Sequence, residues 1–293
     1  ASSLAFLALG AGIGAVFGFS TAESVLFGVT LMFSSTIIVL KLLPTTTLHH
    51  RHTGQVIISV LLLQDLLAIV AMLMLQGYGK GGELVVDIAL QLLLLPVIGA
   101  GAWLAQRYLL EPMLRRFDQI HEYIFLLVIA WCLGIAALAR WAGLSGEIGA
   151  FIAGVVLASS PIALFIAESL KPLRDFFMVV FFFSLGAGFH LEVLGDVLLP
   201  AAALAGATLL LKPLVFRWLL VAAGEAPAMS LEIGVRLGQI SEFSLLVAVV
   251  AVSSGFVTED AGYVIQLATL LTFIISSYLI VMKYPTPIAV SER

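Results

Sequence analysis

The chain has 293 residues, of which 61% are hydrophobic and only 11% are charged, and its mean hydropathy is +1.15. A soluble domain of this size does not need so much apolar surface, so the composition excludes that class and indicates an all-α membrane protein. The net charge of -4 carries little information, because the charges are segregated by position. The single cysteine, Cys132, excludes an internal disulfide.

Ten apolar segments follow one another with short connections, and each is close to the ~20 residues that a membrane-spanning helix needs. They are residues 1–19, 22–43, 54–75, 84–108, 120–140, 144–160, 173–190, 197–222, 227–254 and 260–282. Because the chain opens directly in an apolar segment, we expect it to begin partway through a longer protein.

The distribution of Lys and Arg predicts the orientation of the spans. The loops after spans two, four, six and eight, together with the C-terminus, carry ten of these residues: Lys41, Arg51, Arg107, Arg115, Arg116, Lys171, Arg174, Arg217, Lys283 and Arg293. The opposite side carries two, Lys80 and Arg140. The positive-inside rule therefore predicts a protein of the cytoplasmic (inner) membrane with a cytoplasmic C-terminus and Ala1 at the inner face.

Asp65 lies in the middle of the third apolar segment. A carboxylate at this depth of a bilayer costs roughly 2.5–3.5 kcal/mol on insertion scales. Membrane proteins that retain such a residue usually use it to hold a proton or a cation. Asp65 therefore makes the chain a candidate ion carrier.

Among the other ionisable residues within predicted spans, three are candidates for a function: Lys212, Arg236 and Glu242. Intramembrane charges are functional by default. Two alternatives stay open at this level. Lys212 can extend along its span toward the inner interface, and Arg236 can pair with Glu242 across six residues of one span.

Two spans carry polar or flexible residues at their centres. The ninth has Gly238, Gln239 and Ser241, and the second has the run Ser34-Ser-Thr36. Glycine is a poor helix former, and polar side chains can satisfy the backbone groups that a helix break frees. The ninth span is therefore predicted to be discontinuous, whereas the Ser/Thr run alone is a weaker signal.

Several motifs in order resemble the monovalent cation–proton antiporter superfamily, and in particular its Kef-type potassium–proton antiporter branch. They are Phe33-Ser-Ser-Thr-Ile-Ile-Val39, Leu63-Gln-Asp-Leu66, Gly143-Leu-Ser-Gly-Glu-Ile-Gly-Ala-Phe-Ile-Ala-Gly154, Phe181-Phe-Phe-Ser-Leu-Gly186, the intramembrane Lys212 and Gly238-Gln-Ile-Ser-Glu-Phe-Ser244. The resemblance covers nearly the whole chain.

The resemblance implies thirteen spans with inverted repeats, in which two crossed discontinuous helices meet at the ion site. Ten of these helices lie in this chain, and spans one to three correspond to spans eight to ten. Spans five to seven precede spans eight to ten, whereas no spans precede spans one to three in this chain. The symmetry therefore leads us to expect three spans before Ala1.

The resemblance also assigns the site. Asp65 becomes the shared carrier of proton and monovalent cation, and Lys212 becomes its ion-pair partner when no cation is bound. The other expected members of the site are Gln64, Ser35, Thr36, Gln239, Ser241, Glu242 and Arg236. Because Gln64 is neutral, we count one acid at positions 64 and 65 and expect electroneutral exchange of one proton per cation.

The implied domain organisation divides the chain into four parts. Residues 1–75 and 191–293 form ion-site helices, residues 76–119 a connector helix, and residues 120–190 a panel of interface helices. The implied partners are K⁺ or Na⁺, protons, the lipid bilayer, a second copy in a homodimer, and a soluble nucleotide-binding regulatory domain beyond Arg293. No cofactor and no nucleic acid is expected.

The function indicated is secondary-active K⁺/H⁺ antiport by alternating access, and the chain is not expected to be an enzyme. The alternatives are an Na⁺/H⁺ antiporter of the same fold, a ligand-gated K⁺ efflux system that resembles a channel, and an Na⁺-coupled organic anion symporter. The run His49-His-Arg-His52 favours a solvated basic loop over a metal site, because no Cys or acidic ligand is near it in sequence.

Overall fold

The computed structural model describes residues 2–43, 52–78, 84–116, 121–160 and 162–286, and every regular element in these ranges is helical. In chain order the helices are α1 (Ser2–Val16), α2 (Thr21–Leu31), α3 (Thr36–Leu42), α4 (His52–Tyr78), α5 (Leu84–Ala105), α6 (Glu111–Arg116), α7 (His121–Trp141), α8 (Gly146–Leu157), α9 (Ala163–Ala187), α10 (Leu194–Ala222), α11 (Pro227–Arg236), α12 (Glu242–Ser253) and α13 (Glu259–Lys283). A π-helical turn, Gln106–Leu110, joins α5 to α6, and a 3₁₀ turn, Leu191–Val193, precedes α10.

Six stretches of the described residues are long and apolar enough to cross a membrane. They are Thr21–Leu42, His52–Leu75, Leu90–Leu114, Glu122–Trp141, Leu191–Ala222 and Glu259–Lys283. Three shorter apolar helices, α1, α8 and α12, accompany them. These lengths confirm the predicted all-α membrane architecture.

The seventh predicted span begins earlier than its apolar pattern indicates. The pattern places its start at residue 173, whereas α9 begins at Ala163 and includes Lys171 and Arg174, which the sequence analysis places in a loop. Leu, Glu, Lys and Arg are all good helix formers, and α9 continues through its internal Pro172. The charged turn therefore extends the helix rather than ending it.

The chain divides into two compact units. One comprises Ala1–Lys80 with Phe189–Arg293, and so contains α1–α4 and α10–α13. The other comprises Gly81–Gly188 and contains α5–α9. In this second unit a buried apolar cluster includes Leu110, Leu114, Ile124 and Val128. Every candidate ion-site residue belongs to the first unit.

The distribution of polar and apolar side chains differs from that in a soluble protein. Large apolar side chains are exposed, among them Trp141 at 89% and Phe183 at 76%, whereas Arg236 and Lys212 are both 1% exposed. Apolar surface on this scale is stable only when lipid or another protein covers it. The first unit shows both features, because it exposes Trp218 at 71% and buries Lys212 and Arg236.

Glycines set the close packing of α1 against α2. A Cβ atom added at Gly10 would lie 2.6 Å from the Cα of Gly28, and one added at Gly28 would collide with the carbonyl oxygen of Leu7. Both obstacles are backbone atoms, which cannot move aside as a flexible side chain can. The two helices can approach this closely only because neither residue has a side chain.

Replacing Gly28 with alanine is expected to separate α1 from α2 and to lower the free energy of unfolding by about 3 kcal/mol, the upper end of the usual cost of overpacking. Gly12→Ala is the matched control on the same helix pair, because a Cβ atom there meets nothing within 4 Å. Melting temperatures of the two purified variants in detergent provide the comparison. Equal melting temperatures would contradict the packing assigned to Gly28.

A buried carboxylate links the start of α2 to the start of α13. Glu23 is 6% exposed and accepts hydrogen bonds from the backbone N–H and the hydroxyl of Ser20, at 2.9 and 2.8 Å. It also accepts from the backbone N–H of Thr258 at 3.2 Å and from the Thr258 hydroxyl at 2.5 Å. Ser20 and Thr258 are the N-cap residues of α2 and α13. One acid thus holds two helix starts together.

Candidate ion site

Two interruptions lie at the centre of the first unit, at the positions that the sequence indicates. Residues 32–35 separate α2 from α3, and residues 237–241 separate α11 from α12. Each second half-helix begins with a serine N-cap: the Ser35 side chain accepts from Ile38 N–H, and the Ser241 side chain accepts from Phe243 N–H. These serines satisfy backbone donors that a break would otherwise leave unpaired within the membrane.

The two interruptions are in direct contact. The Ser34 hydroxyl donates to the carbonyl oxygen of Leu237 at 2.9 Å, and the Gln239 side-chain amide donates to the carbonyl oxygen of Ser35 at 3.5 Å. Both serines are fully buried. The polar run of the second span and the Gly-Gln-Ile-Ser run of the ninth therefore meet at one place.

Asp65 and Gln64 reach this place from α4. The Gln64 side-chain oxygen accepts from the backbone N–H of Ser34 at 2.9 Å. The Thr36 hydroxyl donates to an Asp65 carboxylate oxygen at 3.5 Å. Asp65 is 9% exposed. The adjacent pair on α4 therefore faces the first interruption, with Gln64 supporting its backbone and Asp65 lying beside the start of α3.

Lys212 of α10 bridges the two interruptions. Its ammonium group donates to the carbonyl oxygen of Phe33 at 2.6 Å and to that of Gln239 at 3.0 Å. The ring of Phe6 lies 5.4 Å from the same nitrogen and adds a cation–π contact. The charge at mid-membrane depth is thus compensated by carbonyl dipoles at both breaks.

The ion pair between Lys212 and Asp65 that the resemblance implies is not formed within 4 Å in the described part of the chain. The ammonium group is directed at the two carbonyl oxygens instead. The open alternative, extension of Lys212 to the interface, does not occur in this structure, because the side chain is 1% exposed.

The second interruption is fixed by the last helix. The Gln239 side-chain oxygen accepts from the Ser276 hydroxyl at 3.1 Å, and the Thr272 hydroxyl accepts from Ile240 N–H at 3.2 Å. The sequence analysis did not single out Thr272 or Ser276. Their signal is the spacing of Thr269, Thr272 and Ser276, which places three hydroxyls on one face of a helix that is otherwise apolar.

Arg236 and Glu242 do not pair with each other, which corrects the structural alternative considered from the sequence. Arg236 forms an ion pair with Glu232, with a nitrogen–oxygen distance of 2.9 Å. Its other nitrogens donate to the carbonyl oxygens of Leu42 and Pro285, at 3.2 and 3.1 Å. Arg236 therefore fastens the end of α3 and the segment after α13 to α11.

Glu242 turns toward the first interruption. Its Oε1 accepts from the backbone N–H of Ile37 at 3.3 Å, and the Ser35 hydroxyl also faces the carboxylate. Its Oε2 is buried and has no hydrogen-bond partner among the described residues. Glu242 thus belongs to the same cluster as Asp65, whereas Arg236 lies at the ends of the half-helices.

The histidine run falls largely outside the described residues, since only His52 is included. His52 Nε2 lies 2.8 Å from a carboxylate oxygen of Glu225 at an exposed position. Among the described residues, no group of three or more His, Cys, Asp or Glu side chains is arranged to hold a metal ion.

Membrane-length helices, two of them interrupted beside a buried acid, define the class of secondary membrane transporters. The family model described as "Sodium/hydrogen exchanger, transmembrane" matches residues 1–282, and the chain belongs to this family. Relatives named as potassium efflux antiporters confirm the resemblance to the Kef-type branch. The relatives are named as transporters and antiporters.

Three relatives illustrate the similarity. "Iron transporter MagA" of Paramagnetospirillum magneticum is 29% identical over 89% of this chain and 60% of its own length. "K(+) efflux antiporter 5" of Arabidopsis thaliana is 28% identical over 92% and 48%, and "Putative cation/proton antiporter YbaL" of Escherichia coli is 30% identical over 82% and 45%. The chain spans about half the length of the curated relatives it matches.

Proposed function

We propose that the chain carries out electroneutral K⁺/H⁺ exchange by alternating access, with Asp65 as the shared carrier of proton and cation. The observation that carries this proposal is the position of Asp65. Its carboxylate lies beside the Thr36 hydroxyl at the place where two interrupted helices meet. A buried carboxylate there is costly unless a proton or a cation neutralises it.

Competition for one carboxylate couples the two ion flows. A dehydrated alkali cation needs several oxygen ligands, and hydroxyl groups and carbonyl oxygens at a broken helix can supply them beside the carboxylate. A proton on Asp65 removes the charge that attracts the cation. Because the site cannot cross the membrane without a neutralising ion, each inward proton is exchanged for one outward cation.

The choice of K⁺ rests on the relatives that are named as potassium efflux antiporters. The family description names sodium instead, so Na⁺/H⁺ exchange by the same site is the alternative. A channel-like K⁺ efflux system and an Na⁺-coupled organic anion symporter complete the set of functions to be separated by experiment.

The remaining features of the proposal concern architecture. We propose thirteen spans in inverted repeats, with the C-terminus in the cytoplasm and the protein in the inner membrane. Residues 1–75 and 191–293 form the ion-site helices, 76–119 the connector, and 120–190 the panel that forms a homodimer. The grouping of Ala1–Lys80 with Phe189–Arg293 in one compact unit supports the first part of this division. A nucleotide-binding regulatory domain completes the proposed assembly.

The proposal is tested in proteoliposomes loaded with a pH-sensitive dye. Addition of K⁺, Na⁺ or Li⁺ separately is expected to move protons across the membrane, most strongly with K⁺. A membrane potential alone is expected to drive no exchange, because each cycle moves no net charge. Proton movement driven by the potential would contradict one-for-one exchange.

Single-channel currents would instead establish a channel, and Na⁺-dependent uptake of an organic acid without a proton signal would establish a symporter.

A further inference from the structure

Glu242 is the second carboxylate, beside Asp65, in the cluster around the interruptions. Its hydrogen bonding among the described residues is incomplete. Oε1 accepts from Ile37 N–H, but Oε2 is buried without a partner. A buried carboxylate oxygen without a donor costs free energy comparable to a lost charge-assisted hydrogen bond. The Ser35 hydroxyl faces this carboxylate but forms no hydrogen bond with Oε2, so this oxygen is open to a ligand.

Asp65 and Glu242 converge on the same turn of the chain. The Thr36 hydroxyl contacts Asp65, and the N–H of the next residue, Ile37, contacts Glu242. The Cα atoms of consecutive residues such as Thr36 and Ile37 are about 3.8 Å apart, so the two carboxylates contact neighbouring positions of the chain. They are within range of direct charge–charge interaction. Two bare carboxylates at such a place repel each other, and a cation between them removes the repulsion.

The position of Glu242 on its own helix also favours the ionised form. Glu242 is the first residue of α12, a helix of 12 residues whose N-cap is Ser241. The N-terminus of a helix carries a partial positive charge, equivalent to about half an elementary charge. The start of α12 therefore compensates part of a negative charge on Glu242.

We propose that Glu242 is a second carboxylate ligand of the transported monovalent cation, which Asp65 and Glu242 hold between them through the open Oε2. This inference rests on the proposed antiport function and adds a residue to its cation site. It keeps the exchange at one proton per cation, because only Asp65 changes its protonation during the cycle. The neutral Gln64 occupies no ligand position, since its side-chain oxygen is bound to Ser34.

The test compares the apparent KM for K⁺ in proteoliposomes among variants at position 242. Glu242→Gln retains an oxygen for Ile37 N–H but loses the charge, and is expected to raise the KM on the order of tenfold, equivalent to about 1.4 kcal/mol. Glu242→Asp retains the charge on a shorter side chain, and is expected to raise the KM less. A role limited to the hydrogen bond with Ile37 predicts the opposite order, with the glutamine variant closer to the wild-type protein.

Glu259→Gln is the matched control, because Glu259 is also the first residue of a helix, α13, behind the N-cap Thr258, and is exposed. It is expected to leave the KM unchanged. If the wild-type protein exchanges K⁺ for protons and Glu242→Gln has the wild-type KM, the second-ligand inference is wrong while the antiport function stands. If the wild-type protein exchanges no cation, both fail. Melting temperatures in detergent verify that the variants are folded.

Discussion

Asp65→Asn is expected to reduce cation-driven proton movement in proteoliposomes to the level of protein-free vesicles. Asparagine has the same shape as aspartate and its side-chain oxygen can still accept from the Thr36 hydroxyl, which contacts Asp65 at 3.5 Å. It cannot bind and release a proton at physiological pH, and it lacks the charge that holds a cation. The variant should therefore fold and insert normally but should not carry either ion.

The matched control for this prediction is Asp260→Asn, which changes an exposed acid in the first turn of α13. It is expected to exchange at the wild-type rate. Unaltered melting temperatures for both variants would show that loss of exchange in Asp65→Asn is not loss of structure. Measurable exchange by Asp65→Asn would exclude Asp65 as the carrier and with it the proposed mechanism.

Lys212→Ala is expected to have the largest effect on stability among the site residues. The substitution removes the donor for the carbonyl oxygens of Phe33 and Gln239, which are both at helix interruptions. Leaving two buried carbonyls without donors costs about 1–3 kcal/mol each, partly offset because a buried charge is also removed. We expect a net loss of about 2 kcal/mol in the free energy of unfolding, with weaker exchange.

Melting temperatures in detergent and exchange rates in proteoliposomes test this expectation. Lys212→Gln is expected to lose less stability, because its amide can still donate to one of the two carbonyls. Lys171→Ala removes an exposed lysine of α9 and is expected to leave the melting temperature unchanged. A Lys212→Ala protein as stable as the wild type would show that the carbonyl contacts do not hold the interruptions together.

The sequence predicts the break in the ninth span directly, whereas the break in the second span is predicted by the family resemblance. Gly238 and the neighbouring polar side chains are out of place in a continuous apolar span, and the run Ser34-Ser-Thr36 supplies the N-cap of a new helix. The sequence also predicts Asp65 as an ion carrier, because a carboxylate in a long apolar segment is costly. The structure places Asp65 beside the first interruption. The motifs that carry the family resemblance lie in both halves of the chain, and the family model likewise matches both halves.

The partners of the buried charges could not be predicted in the same way. Lys212 binds two backbone carbonyls, and every residue has a carbonyl, so no side-chain pattern indicates which are free. The oxygens at Phe33 and Gln239 become available only because the helices end there. Arg236 and Glu242 are six residues apart on one predicted span, but an interruption lies between them. Arg236 pairs with Glu232 of its own helix and donates to the carbonyl oxygen of Leu42 on α3, whereas Glu242 accepts from Ile37 N–H on α3.

The contact between the interruptions also limits how the protein can move. One ammonium group holds Phe33 and Gln239, Ser34 reaches Leu237, and Gln239 reaches Ser35. Sliding one broken helix past the other would rupture all four bonds in a medium without water to replace them. In the proposed alternating-access cycle we therefore expect the two broken helices to move together as a single rigid block.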